Sequence, residues 1–176
     1  GGADSGLGRL PVAAASLRNG SAAGELDDCR AWRMNDPPWK TLDFGDEGDR
    51  NGAPALYINA WYDGSTGPNM AMFEYQTKNA ATELARNNTF MINSPTAHCQ
   101  MWRMETEHTI VGEGDMGDAL FDYESFILRW YDHWLKGVDN GVEKEPKVRV
   151  YTMGSNRWHT YDTWPPRDVQ PVTYYL

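Results

Sequence analysis

Between Pro54 and Gly64 the chain reads Pro-Ala-Leu-Tyr-Ile-Asn-Ala-Trp-Tyr-Asp-Gly, an apolar run that stops on an acid and a glycine. A run of this kind, opened by proline and closed by Asp-Gly, predicts a buried strand with a carboxylate, Asp63, at its C-terminal end. Gly67-Pro68 then opens a helix at its first turn, and Met70, Phe73, Thr77, Ala80 and Leu84 recur at helical spacing. After Asn87-Asn88 a second short apolar run, Phe90-Met91-Ile92, breaks into Asn93-Ser94-Pro95-Thr96-Ala97-His98. Strand, acid, helix, strand, histidine is the order of a βαβ unit in a parallel sheet, and open α/β sheets bind ligands at the C-terminal ends of their strands. The expected fold class is therefore α/β, with Asp63 and His98 at the ends of neighbouring parallel strands.

Asp-Gly is also an ordinary turn pair, and turn chemistry alone accounts for Asp63. An acid that orients an imidazole is nevertheless the supporting half of a nucleophilic triad, and both residues stand at strand ends. His108, in an irregular stretch, is the second choice for a base. Cys99 next to His98 invites a cysteine–histidine reading, but adjacent side chains rarely converge to the ~3 Å that a nucleophile needs from its base. The two cysteines, Cys29 and Cys99, form no C-x-x-C, which excludes a zinc ribbon or disulfide scaffold and leaves the compartment undecided. The carboxylates between Asp43 and Gly52 are not spaced as a calcium loop. Neither a metal nor a cofactor is expected.

Several motifs in order, from residue 54 to the end, carry a resemblance. They are Pro54-Ala55-Leu56 through Trp61-Tyr62-Asp63-Gly64, His98, and Trp130-Tyr131-Asp132-His133-Trp134-Leu135-Lys136-Gly137. Pro146-Lys147-Val148-Arg149-Val150-Tyr151-Thr152-Met153-Gly154, Asn156-Arg157-Trp158, Trp164-Pro165-Pro166 and Tyr174-Tyr175-Leu176 follow. Together they resemble the CocE/NonD family of serine hydrolases, which includes cocaine esterase, X-Pro dipeptidyl peptidases and α-amino acid ester hydrolases. The resemblance implies a Ser-His-Asp triad in which Asp63 is the acid and His98 the base, although the histidine loop reads Asn-Ser-Pro-Thr-Ala-His instead of the family's Gly-Pro-Trp-x-His. It also implies three segments: a cap or connecting segment over 1–52, the C-terminal part of an α/β-hydrolase domain over 53–140, and the start of a C-terminal β-sandwich, a jelly roll, over 146–176. Tyr62 and Ser65 flank the acid and are assigned to the substrate pocket by adjacency.

The family's nucleophile sits in a Gly-x-Ser-Tyr-x-Gly elbow before the acid, and none of Ser5, Ser16, Ser21, Ser65, Ser94, Ser125 or Ser155 has that context. With its Gly1-Gly2-Ala3 start, the chain reads as a piece of a longer enzyme or half of a nicked one. Its expected partners are a small-molecule ester, amide or peptide and the remainder of the protein carrying the serine, with room for a homo-oligomer. The alternative is a non-catalytic interaction or carbohydrate-binding fragment that uses its 8 tryptophans and 9 tyrosines.

The 176 residues, 40% hydrophobic, suffice for one globular core. A net charge of −9 leaves no basic stripe for nucleic acid, and no run reaches the ~18 apolar residues of a membrane helix. Residues 10–17 read as a short helix or an extended connection ending at the Asn19-Gly20-Ser21 turn, and Cys29–Met34 as a helix stopped by Pro37-Pro38; plain packing accounts for Trp32 and Trp39, while the family resemblance implies that they line or support the cap. Residues 100–118 read as a loop. Asp118 is the expected N-cap of a helix over 119–136, with Leu120, Tyr123, Ile127, Trp130 or Tyr131, and Trp134 on its apolar face. Gly137 closes that helix, and His133 lies on its polar face. Residues 139–145 are a polar linker, Lys147–Tyr151 and Val172–Leu176 are strands, and His159 lies in an irregular aromatic crossing between them.

Overall fold

Among the described residues nine regular elements follow one another in the order β1 (Ala55–Tyr62), α1 (Thr66–Asn79), α2 (Glu83–Asn87), β2 (Thr89–Ala97), β3 (Ile110–Val111), β4 (Gly114–Asp115), α3 (Tyr123–Lys136), β5 (Val148–Thr152) and β6 (Arg157–Tyr161). Single 3-10 turns occur at Met101–Arg103 and Val142–Lys144. The structure is a computed structural model that describes residues 36–37 and 48–174. Within it Asp49–Leu176 form one unit. The expectations for residues 10–21, Cys29–Met34, Trp32 and Trp39, and most of the acidic loop, fall outside the described residues.

The main sheet has the strand order β1-β2-β5-β6. β1, β2 and β5 run parallel, and β6 returns antiparallel to β5. Side chains alternate between the two faces of a strand, and the two core clusters follow that alternation. Phe90 and Ile92 of β2 and Tyr151 of β5 pack with Tyr123, Phe126 and Trp130 of α3. Met91, Val148 and Val150 pack on the opposite face with Phe73 of α1. Helices thus cover both faces, as a parallel sheet demands, and β2, in the middle, is buried along nearly its whole length.

Several expectations change. Asn93-Ser94-Pro95-Thr96 belong to β2 and are buried, although their composition reads as a loop. Proline is tolerated there because β5 pairs only with Met91–Asn93, and the β1 register shifts between Ala60 and Tyr62. The first helix stops at Asn79. Ala80 turns to ψ 146°, Thr82 caps α2 by accepting from the Ala85 amide at 3.0 Å, and Leu84 is exposed.

Helix α3 begins at Tyr123 with Asp122 as its cap, not at Ala119 with Asp118. The reason is tertiary. The Tyr151 hydroxyl donates to the Met116 carbonyl and the Trp158 indole N–H to the Ala119 carbonyl at 3.1 Å. The second bond engages the Ala119 carbonyl from outside and Asp122 takes over as cap, so residues 119–122 stay out of the helix. The buried face of α3 is Tyr123, Phe126 and Trp130, while Leu120 and Tyr131 are exposed. The exit is as expected: Gly137 takes φ 71°, a left-handed conformation that suits glycine, and its amide bonds the His133 carbonyl at 3.0 Å.

Beyond the linker, β5 and β6 add to the same sheet as β1 and β2, where a separate sheet was expected to begin. Val148 and Val150 are buried on the face shared with Phe73, so leaving this sheet would uncover both. Trp158 and His159 lie within β6, whereas Val172–Tyr174 form no strand and Tyr175 and Leu176 are outside the described residues. Among the described residues no helix is long and apolar enough to cross a membrane.

Candidate active site

β1 and β2 are adjacent and parallel, so the residues following them emerge side by side at the same edge of the sheet. There the Nδ1 of His98 lies 2.6 Å from Oδ2 of Asp63. The carboxylate is largely covered and the imidazole projects into solvent, with side-chain exposures of 13% and 73%.

The turn between β1 and α1 explains how Asp63 is held. Its Oδ1 accepts from the Ser65 amide and the Ser65 hydroxyl, each at 2.8 Å. The two oxygens of Asp63 are thus divided: Oδ1 closes the turn and Oδ2 faces the histidine. These bonds, led by the Ser65 amide and followed by His98 and the Ser65 hydroxyl, draw the Asp63 carboxyl down to about 2. An ionised carboxylate only accepts, so Nδ1 of a neutral His98 must carry the proton and Nε2 the lone pair. Among the described residues nothing hydrogen-bonds to Nε2.

Behind the turn, buried Asn59 donates through Nδ2 to the Ser65 hydroxyl at 3.1 Å and accepts the Ala60 amide on Oδ1 at 2.7 Å. Thr66 fastens the same turn by donating its hydroxyl to the Ala60 and Asp63 carbonyls. Sequence reasoning passed over Asn59. The available signal was a polar residue inside the apolar run of a strand, which must find partners if it is buried.

Of the two residues assigned to the pocket by adjacency, Tyr62 is 54% exposed at the strand end. Ser65 has its hydroxyl engaged with Asp63 and Asn59. Cys99 is exposed with φ 56° and turns the chain immediately after His98, where the Gln100 amide bonds the Ala97 carbonyl at 3.0 Å. The partner of His98 is Asp63, not Cys99.

His108, just before β3, pairs with Asp115 of β4 at 2.7 Å, an exposed acid–imidazole contact. His133 bonds the Val138 carbonyl at 2.9 Å, and His159 stacks on Tyr161. Ser94 is buried against Thr96 at 2.7 Å, and no described serine hydrogen-bonds to His98. No group of three or more potential metal ligands occurs among the described residues.

Comparison with known proteins agrees with this architecture. Residues 140–176 match the family model of the X-Pro dipeptidyl-peptidase C-terminal non-catalytic domain. A Mycobacterium bovis protein named a serine esterase is 30% identical over 126 residues, 72% of this chain and 18% of that protein. The cocaine esterase of a Rhodococcus species is 24% identical over 144 residues, 81% of this chain and 23% of that enzyme. A Streptomyces avermitilis protein named a Xaa-Pro dipeptidyl-peptidase is 44% identical over 47 residues, 27% of this chain and 7% of that protein. An archaeal aminopeptidase crystal structure, from a marine-sediment Thaumarchaeota, superposes with a TM-score of 0.58 at 21% identity, covering 88% of this chain and 25% of that one. The chain thus spans less than a quarter of the length of the curated relatives named here. With the ordered motifs, the shared fold and these relatives together, the chain is a relative of the CocE/NonD family of hydrolases.

Proposed function

We propose that this chain supplies the acid and the base of a Ser-His-Asp triad in a serine hydrolase acting on ester, amide or peptide carbonyls. The carrying observation is the 2.6 Å contact between His98 Nδ1 and Asp63 Oδ2 at the C-terminal ends of adjacent parallel strands. In this reading a serine outside the described residues attacks the carbonyl carbon while Nε2 of His98 takes its proton. Asp63 keeps the imidazole in the Nδ1–H tautomer and stabilises the cation that forms. His98 then protonates the leaving group, and water repeats the sequence on the acyl-enzyme, with His98 as base and then acid. The sheet edge next to β1 and the chain beyond β6 belong, in the same reading, to the rest of an α/β-hydrolase domain and to a C-terminal jelly roll.

A non-catalytic interaction or carbohydrate-binding fragment would have no reason to pair Asp63 with His98, and the contact speaks against it. The test is labelling of the full-length protein with a fluorophosphonate, which reacts only with an activated serine. Labelling in the wild type that is lost in His98→Ala supports the triad; a folded full-length protein that takes no label removes the hydrolase reading.

A further inference from the structure

The hydrogen bonds behind Asp63 have a direction. The Ala60 amide can only donate, so it identifies the Asn59 oxygen that it meets at 2.7 Å and leaves Nδ2 as the donor toward Ser65 at 3.1 Å. A hydroxyl that accepts from Nδ2 keeps its own proton for another acceptor, and the acceptor present is Asp63 Oδ1 at 2.8 Å. Oδ1 receives the Ser65 amide as well, so both of its bonds come from one residue. Oδ2 is the oxygen that remains for His98. The series starts at a buried strand residue, whose side chain has little freedom to reorient, and ends at an exposed imidazole.

From this geometry we infer that Asn59 and Ser65 are positioning residues that aim the Asp63 carboxylate, through the relay Asn59 Nδ2 to Ser65 Oγ to Asp63 Oδ1, so that Oδ2 meets His98 Nδ1. The inference rests on the triad reading for its catalytic consequence, but the relay exists in the structure independently of that reading. Ser65 thereby acts on the acid and not on the substrate. Losing either member leaves Oδ1 held by the Ser65 amide alone, which loosens the carboxylate about its χ2 axis, and small misplacements in a triad cost about tenfold to a hundredfold in rate.

The test uses the full-length protein with Ser65→Ala, Ser65→Thr and Asn59→Asp. Ser65→Ala trims an exposed side chain, and Asn59→Asp keeps the shape while replacing the donor to Ser65 by an acceptor. The expected result is a fall in ester-hydrolysis kcat of about tenfold or more in Ser65→Ala and Asn59→Asp with KM within about twofold. Ser65→Thr, which restores the hydroxyl, should recover most of the rate. The double variant should lose no more than the worse single one, because both remove the same series.

The second readout needs no turnover. The His98 Nδ1 proton, bound to a carboxylate at short distance, should give a far-downfield NMR resonance that moves or broadens in Ser65→Ala and returns in Ser65→Thr. A raised KM with unchanged kcat in Ser65→Ala, or a His98 resonance indifferent to both substitutions, would overturn the relay. If the wild-type enzyme takes no fluorophosphonate, the triad reading fails while the resonance still decides the relay.

Discussion

Replacing Asp63 by asparagine tests the site without changing its shape. Two donors from Ser65, the amide and the hydroxyl, hold Oδ1 at 2.8 Å, and a carboxamide can satisfy them only with its oxygen. The new NH2 group must therefore take the place of Oδ2, 2.6 Å from His98 Nδ1. An NH2 group can only donate, so Nδ1 must accept and the imidazole proton moves to Nε2. That is the wrong tautomer for a base, since Nε2 is the nitrogen that has to take the serine proton. The expected consequence is a loss of about 10⁴-fold in kcat with little change in KM, the size of effect seen when a triad acid is made an amide. The assay is steady-state hydrolysis of an activated ester by the full-length enzyme, paired with ¹⁵N NMR of the imidazole to identify the protonated nitrogen. A loss under tenfold, or an Nδ1–H tautomer that survives the substitution, would refute the reasoning, because the two Ser65 bonds would then not control the orientation of the side chain.

The Asp63 carboxyl also links the turn to pH. Its folded-state value, pulled down to about 2 chiefly by the Ser65 amide, lies below the ordinary aspartate value of about 3.9, so the ionised form favours the folded turn. That contribution is full above pH ~4 and is lost as pH falls toward 2; the protection factor of the Ser65 amide, taken against the intrinsic exchange rate at each pH, should fall over that window in the wild type and not in Asp63→Asn. A protection factor that rises on acidification would contradict the sign. Phe90, buried and edge-to-face with Trp130 at 4.9 Å, ties β2 to α3, and Phe90→Ala should cost about 3–5 kcal/mol by denaturant unfolding; a cost below about 1 kcal/mol would mean the helix packs elsewhere. Tyr151→Phe should cost about 1–3 kcal/mol in the same assay, because it strands the Met116 carbonyl beside a buried ring, and a neutral effect would mean that this bond does not hold the loop before α3.

The placement of Asp63 and His98 was largely legible in the chain order. An apolar run ending in Asp63, a helix, and a second run ending at His98 place two groups at one sheet edge whatever the remaining contacts are, since parallel strands joined by a helix emerge on the same side. The use made of Ser65 was not legible. Adjacency to Asp63 makes it a neighbour of the site, but the direction of a hydroxyl depends on which donor stands behind it, and that donor is Asn59 in a strand whose apolar pattern conceals it.

The elements where the chain was misread have one feature in common: a partner distant in sequence. Asn93–Thr96 have the composition of a loop and become buried strand because β1 lies beside them and β5 stops short of the proline. Ala119 was expected inside the helix and stays outside it because Trp158, more than thirty residues away, bonds its carbonyl. The alternating strand at Val148 was predictable, but its membership of the first sheet was not, since period two specifies two faces and not which strand lies alongside.

By itself, then, the sequence determined the α/β class, the strand ends that carry Asp63 and His98, and the glycine exit of α3, because periodicity, turn chemistry and left-handed φ are local properties of a few consecutive residues. Only the tertiary structure decided which oxygen of Asp63 serves the histidine, which residue aims it, and which strands share the sheet. Those are choices among hydrogen-bond partners and packing neighbours, and such choices are made only when residues far apart in the chain meet.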